Sequence, residues 1–397
     1  MNEPCHDQLK PFLSQDTELG RLVLERMETD GYVVLRNVLT PNECDVELNR
    51  LWDFVEATSP GISRNDPKTW YPQRTPLSSS SSSSSADVDP WPHSGWIWLS
   101  DMCQSYQGGW LFSELREKLA TRVFEKMYGT NELHSSKEGF TFHRPTLAPE
   151  GYYHPLHRTK PSRVCNQETH TSGEHFDQRA SHTGLQCIQS STAFLDQMAD
   201  DGCFLCWPGS HKEHPRMTKD IWRGRSDWVP LTDAEVDELR SLGYTPKRVP
   251  VNAGDVILWR SDLCHCGAKP IGPRPSFRAV SYTCMMPASL TTDDVWAHKW
   301  TEYISGLSGD HRPNVPLPHL SVPKKTTGKH KTQKGQEVEV PTMAATGRYF
   351  ASGLPELTWR QAELYGLVPY GCEKTTKNSV RHEDGRLYWM APDLTKT

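Results

Sequence analysis

The order of hydrophobic and polar positions divides the chain into recognisable elements. From about residue 19 a helical stretch leads into residues 31–39, a run rich in β-branched and aromatic side chains that predicts a strand. A helix follows: Thr40 is an N-cap, Pro41 stands at the first helical position, Glu43 completes a capping box, and Leu48, Leu51 and Val55 mark an apolar face. Residues 110–128 return to helical order, with Leu111, Leu115, Leu119 and Val123 spaced by four and Gly129 as the stop, a stripe that reads as core. The pattern turns to β at residues 185–195 and 203–207, which the intervening Asp201-Gly202 turn predicts to be two antiparallel strands. Residues 212–248 form a polar excursion with one short helix, capped by Thr232 with Glu235 and stopped by Gly243. After it come a turn and buried strand at 254–259, a short strand carrying His265, and a further strand over 278–284. Beyond residue 290 the β signal fades; a helix carrying Trp296, Trp300 and Ile304 is expected, and a small one capped by Thr358 and Gln361 and closed by Gly366.

Composition adds boundaries to this outline. The eight consecutive serines from Ser78 to Ser85 can bury nothing, so residues near 76–88 read as a disordered surface loop. The 397 residues then divide into an N-terminal tail (1–18), one main β domain with flanking helices (19–290) and a C-terminal extension (291–397) expected to pack on it. A formal net charge of -5 gives no global attraction to nucleic acid or to an anionic membrane surface. No apolar run approaches the roughly 18 residues of a membrane span, and the first ten residues lack a signal pattern. A soluble, cytoplasmic protein is expected. Eleven scattered cysteines fit reduced, mostly buried thiols rather than a disulfide framework.

The candidate chemistry centres on Glu174-His175-Phe176-Asp177-Gln178. In an extended segment, side chains two apart share a face, so His175 and Asp177 point at one spot while Phe176 turns into packing. A His-x-Asp triplet alone means little, since a chain with 17 histidines produces about one by chance. His382-Glu383-Asp384 is such a decoy: Gly385 beside it forms a turn, no histidine follows, and His382 reads as surface. What distinguishes His175 and Asp177 is the later arrival of His265 and then Arg278 on successive predicted strands. Two histidines and one carboxylate make a facial triad that holds non-haem Fe(II) with three positions open, two for a 2-oxo-carboxylate head group and one for O2. The distal carboxylate of such a co-substrate needs a cation, and the guanidinium of Arg278 grips carboxylates bidentately. Zinc held by Cys264, His265 and Cys266 is the rival reading. On a strand the two cysteines point away from the histidine, which makes them small core hydrophobes. His211, after the Pro208-Gly209-Ser210 turn, is a further possible ligand that reads as structural or exposed.

The string from Phe194 to His211, with His175-x-Asp177 before it and Gly254-Asp255, His265 and Arg278 after it, resembles the phytanoyl-CoA dioxygenase family of Fe(II)/2-oxoglutarate oxygenases. The resemblance spans roughly residues 20–290, including the strand and capped helix of the opening. It implies a mainly β fold with flanking helices, a double-stranded β-helix (jelly roll, cupin-like) with the metal in its mouth. It also implies an oxygenase that uses Fe(II), 2-oxoglutarate and O2, releases succinate and CO2, and hydroxylates a C–H bond of a small-molecule substrate. Asp177 bears on that outcome, because related halogenases need a small residue at this position. Three features depart from the family, one of them the extension after residue 290. Gly267 stands where members often carry Ser or Thr two residues after the distal histidine, so Arg278 would work with a different hydroxyl. The polar stretch over 134–182, rich in histidine and arginine, lies outside the common pattern and can either line a pocket or lie on the surface. The cluster of Arg144, Arg158, Lys160 and Arg163 within it predicts a polar or carboxylate-bearing substrate, although the 14 tryptophans would also suit an apolar one. The alternative function is a non-catalytic jelly-roll protein that binds a metal or ligand structurally.

Overall fold

A computed structural model of the chain describes residues 5–6, 8–59, 61–73, 90–91, 102–103, 108–154, 173–219, 227–305, 311–315, 327–331, 337–341 and 355–390. The serine run, Arg158, Lys160, Arg163 and most of the basic linker lie outside these residues. Eleven strands build the two sheets that matter for the site: β1 (Tyr32–Leu35), β2 (Met102–Cys103), β3 (Phe140–His143), β4 (His175–Phe176), β5 (Ile188–Ala193), β6 (Cys203–Cys206), β7 (Val229–Pro230), β8 (Lys247–Val249), β9 (Val256–Arg260), β10 (His265–Ala268) and β11 (Arg278–Tyr282). One sheet has the order β1-β9-β5-β11-β3-β2 and the other β7-β4-β10-β6-β8, with every pairing antiparallel. From β3 to β6, and again from β8 to β11, consecutive strands switch sheets. That alternation defines the double-stranded β-helix.

Strand periodicity sorts the side chains into layers. On β9, Ile257 and Trp259 turn inward to a cluster with Tyr32, Phe204 and Leu263, while Val256 and Leu258 pack outward with Ile188, Phe140 and Phe142 against the helices. The outer face of the second sheet is covered by the helix Asp233–Ser241, whose Val236 and Leu239 meet Phe176, Leu205, Cys264 and Cys266. Cys264 and Cys266 therefore lie on the face opposite His265, and burial pushes the Cys264 thiol well above its ordinary value. They are core side chains.

The capping boxes expected at Thr40, Thr232 and Thr358 are all formed. Leu111, Leu115, Leu119 and Val123 are buried. A strict spacing of four outruns the 3.6-residue α-turn, and the backbone widens to a π turn at Ala120–Phe124 before Gly129 ends the helix in the left-handed region at φ 68°. The strand expected over 31–39 stops at Leu35. Its remainder is bound by Asp255, which accepts from Arg36 Nη1 (2.6 Å) and from the backbone N–H of Asn37 (2.9 Å). Gly254 makes this junction: it sits at φ 89°, and a Cβ there would lie 2.3 Å from Leu39 O. The strands at 188–193 and 203–206 do not pair with each other as expected. The turn between them carries the chain from one sheet to the other, and Gln197 there pairs with Val251. Residues of the C-terminal extension pack on the helix Ser113–Leu119: Tyr365 Oη lies 2.9 Å from Ser113 Oγ, and Arg386 pairs with Glu117 at 2.9 Å.

Candidate metal centre

β4 and β10 are neighbours in register, His175 opposite His265, which brings the two imidazole centroids to 4.5 Å. Asp177 follows β4 directly and donates its backbone N–H to Ser261 O (2.9 Å), so the carboxylate is tied to the turn that leads into β10. Asp177 Oδ2 lies 3.7 Å from His175 Nε2 and 3.3 Å from His265 Nε2, and one ligand atom from each residue falls within 4.8 Å of the others. Among the described residues this is the one His/Cys/Asp/Glu group so arranged.

The histidine tautomers follow from their partners. His175 Nδ1 faces Gly173 O at 2.9 Å and His265 Nδ1 faces Leu263 O at 2.8 Å; a carbonyl only accepts, so Nδ1 carries the proton and Nε2 presents its lone pair. Burial opposes charge on His175, but the adjacent Asp177 carboxylate outweighs it and holds that pKa above the ordinary value. For His265, burial and then the charge of His175 prevail and the pKa is lowered. Burial would raise Asp177, yet the two imidazoles hold it well below the usual carboxylate range. An ionised carboxylate and two Nε2 lone pairs are the donor set of the two-histidine, one-carboxylate metal site, and the side chains fit such an ion.

Two further side chains donate hydrogen bonds to this group. Gln189 Nε2 donates to Asp177 Oδ2 (2.9 Å), and Trp259 Nε1 donates to His265 Nε2 (3.2 Å). Neither stood out in the sequence, where one is a polar residue inside a strand and the other a core tryptophan. Their parity on β5 and β9, opposite to the outward Ile188 and Leu258, was the available signal. Gln178 flanks the site without joining it: its amide donates to His182 O and Gly184 O, and its Oε1 accepts from Ser261 Oγ.

Arg278 opens β11, buried, with Nε donating to Gln197 Oε1 (3.2 Å); among the described residues this is the one hydrogen bond of its side chain. A Cβ placed on Gly202 would lie 3.4 Å from Arg278 Cδ and 3.5 Å from Ala268 O. Ala268 stands three residues beyond His265 on β10, about 10 Å along the strand. The Arg278 side chain thus enters beside the Ala268 end of β10 rather than beside His265. Gly267 supplies no hydroxyl, but Thr141 Oγ1 and Tyr282 Oη pair at 2.9 Å on β3 and β11.

The other sequence candidates lie elsewhere. Arg144 is buried among aromatic rings, its guanidinium 5.2 Å from the Tyr71 centroid and 5.6 Å from that of Trp91, and it donates to Trp70 O. It is part of the outer aromatic layer. His382 is exposed and stacks on Tyr388 at 4.1 Å within a two-stranded hairpin. His211 is buried with Nδ1 against Gly31, where an added Cβ would come within 2.8 Å, and it is no part of the cluster. Burial and the neighbouring Arg260 lower its pKa to about 4. The unfolded chain takes up this proton near pH 6.5 and the folded chain only near 4. Stability is therefore lost as pH falls from about 6.5 to about 4, and this group leaves it unchanged above that window. His182, also lowered to about 4, acts in the same direction. Urea denaturation of His211→Asn at pH 7.5, 5.5 and 4.5 is expected to show a shallower acid limb than the parent chain, with part of the slope retained.

A double-stranded β-helix with a His-x-Asp and a distal histidine gathered at one end of its interior is the class that fold and site define. Residues 133–272 match the family model of phytanoyl-CoA dioxygenase (PhyH). A putative phytanoyl-CoA dioxygenase of Dictyostelium discoideum is 20% identical over 323 residues, covering 75% of this chain and 84% of that one. Among solved structures, EctD from S. alaskensis with bound Fe is 15% identical at a TM-score of 0.41, with 72% of this chain and 85% of that chain covered. The epimerase SnoN, solved with Fe3+, alpha ketoglutarate and nogalamycin RO, is 17% identical at a TM-score of 0.38, with 68% and 84% covered. No helix among the described residues is long and apolar enough to cross a membrane.

Proposed function

We propose that the chain is an Fe(II)/2-oxoglutarate-dependent dioxygenase that hydroxylates a C–H bond of a small-molecule substrate. The observation that carries this reading is the convergence of Asp177 Oδ2 and two histidine Nε2 atoms from adjacent strands. His175, Asp177 and His265 would hold the metal, and Arg278 would bind the distal carboxylate of 2-oxoglutarate. Bound there, Fe(II) with 2-oxoglutarate and O2 would supply the oxidising power for C–H cleavage, with release of succinate and CO2.

The chain's own part is preorganisation. The carbonyls of Gly173 and Leu263 fix the ring orientations, Ser261 O anchors the Asp177 backbone, and Gln189 holds the carboxylate rotamer; such partners normally contribute 10- to 100-fold to metal affinity. Gln197 fixes the Arg278 side chain from Nε, leaving the two Nη groups to meet a carboxylate. The reading is tested by anaerobic titration of the protein with Fe(II) and then 2-oxoglutarate. A weak visible charge-transfer band that requires both additions is expected; its absence would favour a non-catalytic metal- or ligand-binding protein.

A further inference from the structure

Resting on His175, Asp177 and His265 as the metal ligands, we propose that the Trp259 indole is a displaceable placeholder on His265: its N–H holds the ligand nitrogen and is released as the metal binds. Nδ1 of His265 is committed to Leu263 O (2.8 Å), and Nε2 accepts the indole N–H at 3.2 Å. A neutral imidazole has a single acceptor lone pair, so the indole and a metal ion cannot share Nε2.

Gln189 provides the contrast within the same site. It donates to Asp177 Oδ2 at 2.9 Å, but a carboxylate oxygen has two lone pairs and accepts an amide and a metal together. The metal therefore displaces one of these two donors and leaves the other in place. The arrangement has a reason in the energetics of burial, because His265 is buried and an unpaired acceptor there would be destabilising. Trp259 satisfies that acceptor and keeps the ring turned toward Asp177 before any ion arrives. The same hydrogen bond has to be broken when the ion enters, which weakens metal binding. The indole leans on Phe204, centroids 4.7 Å apart at 40°, within a local apolar cluster, so a change of its angle disturbs no other hydrogen bond among the described residues. His175 and Asp177 side chains each keep 17% exposure, so water can reach the site and accept from the freed N–H.

The test uses the full chain labelled with 15N-tryptophan and Zn(II) as the probe, scoring only binding that Asp177→Ala abolishes. Trp259→Phe keeps an aromatic ring and removes the donor, and its Zn(II) affinity is expected to tighten about tenfold, the worth of one competing hydrogen bond. In the parent chain, the indole N–H resonance that is missing from Trp259→Phe is expected to move on Zn(II) addition. Trp259→Tyr serves the same assignment if the phenylalanine variant does not fold. An affinity in the variant equal to or weaker than the parent's, or a resonance that stays in place while Zn(II) binds, overturns the proposal. If the parent binds no Zn(II) at these residues, the metal assignment itself fails and the proposal falls with it.

Discussion

Asp177→Ala is expected to abolish succinate formation from 2-oxoglutarate and to weaken metal binding by at least about 100-fold, beyond the usual effect of losing only a supporting partner. The size follows from what the carboxylate does. It is the anionic member of the cluster, held ionised by two imidazoles, and both Nε2 atoms lie within 3.7 Å of its Oδ2. Removing it leaves two imidazoles facing each other across 4.5 Å with no charge to offset a cation. His175 then also loses the neighbour that raises its pKa, so burial prevails there as it already does at His265. The fold is expected to survive. The Asp177 link to Ser261 runs through the backbone, and the strand partners of His175 keep their register. Succinate release, Fe(II) titration and thermal melting of the same preparation check the three statements; sustained turnover in a folded Asp177→Ala would sink the metal assignment.

The convergence of the three candidate ligands was readable because strand parity and chain order carry it. His175 and Asp177 share a face through period two, and the decoy at His382 fails for want of a following histidine. The helix caps were readable for a related reason, since Thr40, Thr232 and Thr358 act on residues three positions away. What the chain hid was partnership across sheets. The turn at Asp201-Gly202 has the composition of a hairpin, yet the flanking strands belong to opposite sheets because each buries one face against a different layer. The run from Gly31 to Leu39 has strand propensity throughout, but Asp255, more than 200 positions away, takes the backbone at Asn37 and ends the strand. Gln189 and Trp259 were hidden likewise, because each matters only through an atom brought to it by another strand. The substrate expectation drawn from the arginine cluster rests on residues of which only Arg144 is described, and aromatic packing claims that one.

Arg278→Ala is expected to raise the KM for 2-oxoglutarate by about 100-fold or more, with a much smaller effect on kcat at saturating co-substrate, since truncating a buried charge that pairs with a ligand costs several kcal/mol. Arg278→Lys is expected to recover only part of the loss: the charge returns, but an ammonium offers no planar fork to a carboxylate. The interior confirms how exacting the position is. Gly202 leaves 3.4 Å between a notional Cβ and Arg278 Cδ, and Gln197 holds Nε, so the side chain has little freedom to compensate for a shorter or differently shaped group. Gln197→Leu should therefore shift the same KM in the same direction by a smaller factor, because it frees the guanidinium without removing it. The family match ends at residue 272, before Arg278, so the proposed role rests on geometry alone: a buried side chain on β11 whose Nη groups have no hydrogen bond among the described residues. Initial rates of succinate formation against 2-oxoglutarate concentration, at fixed saturating Fe(II), distinguish the outcomes. An unchanged KM in a folded Arg278→Ala would move the co-substrate carboxylate to another cation and leave the metal assignment standing.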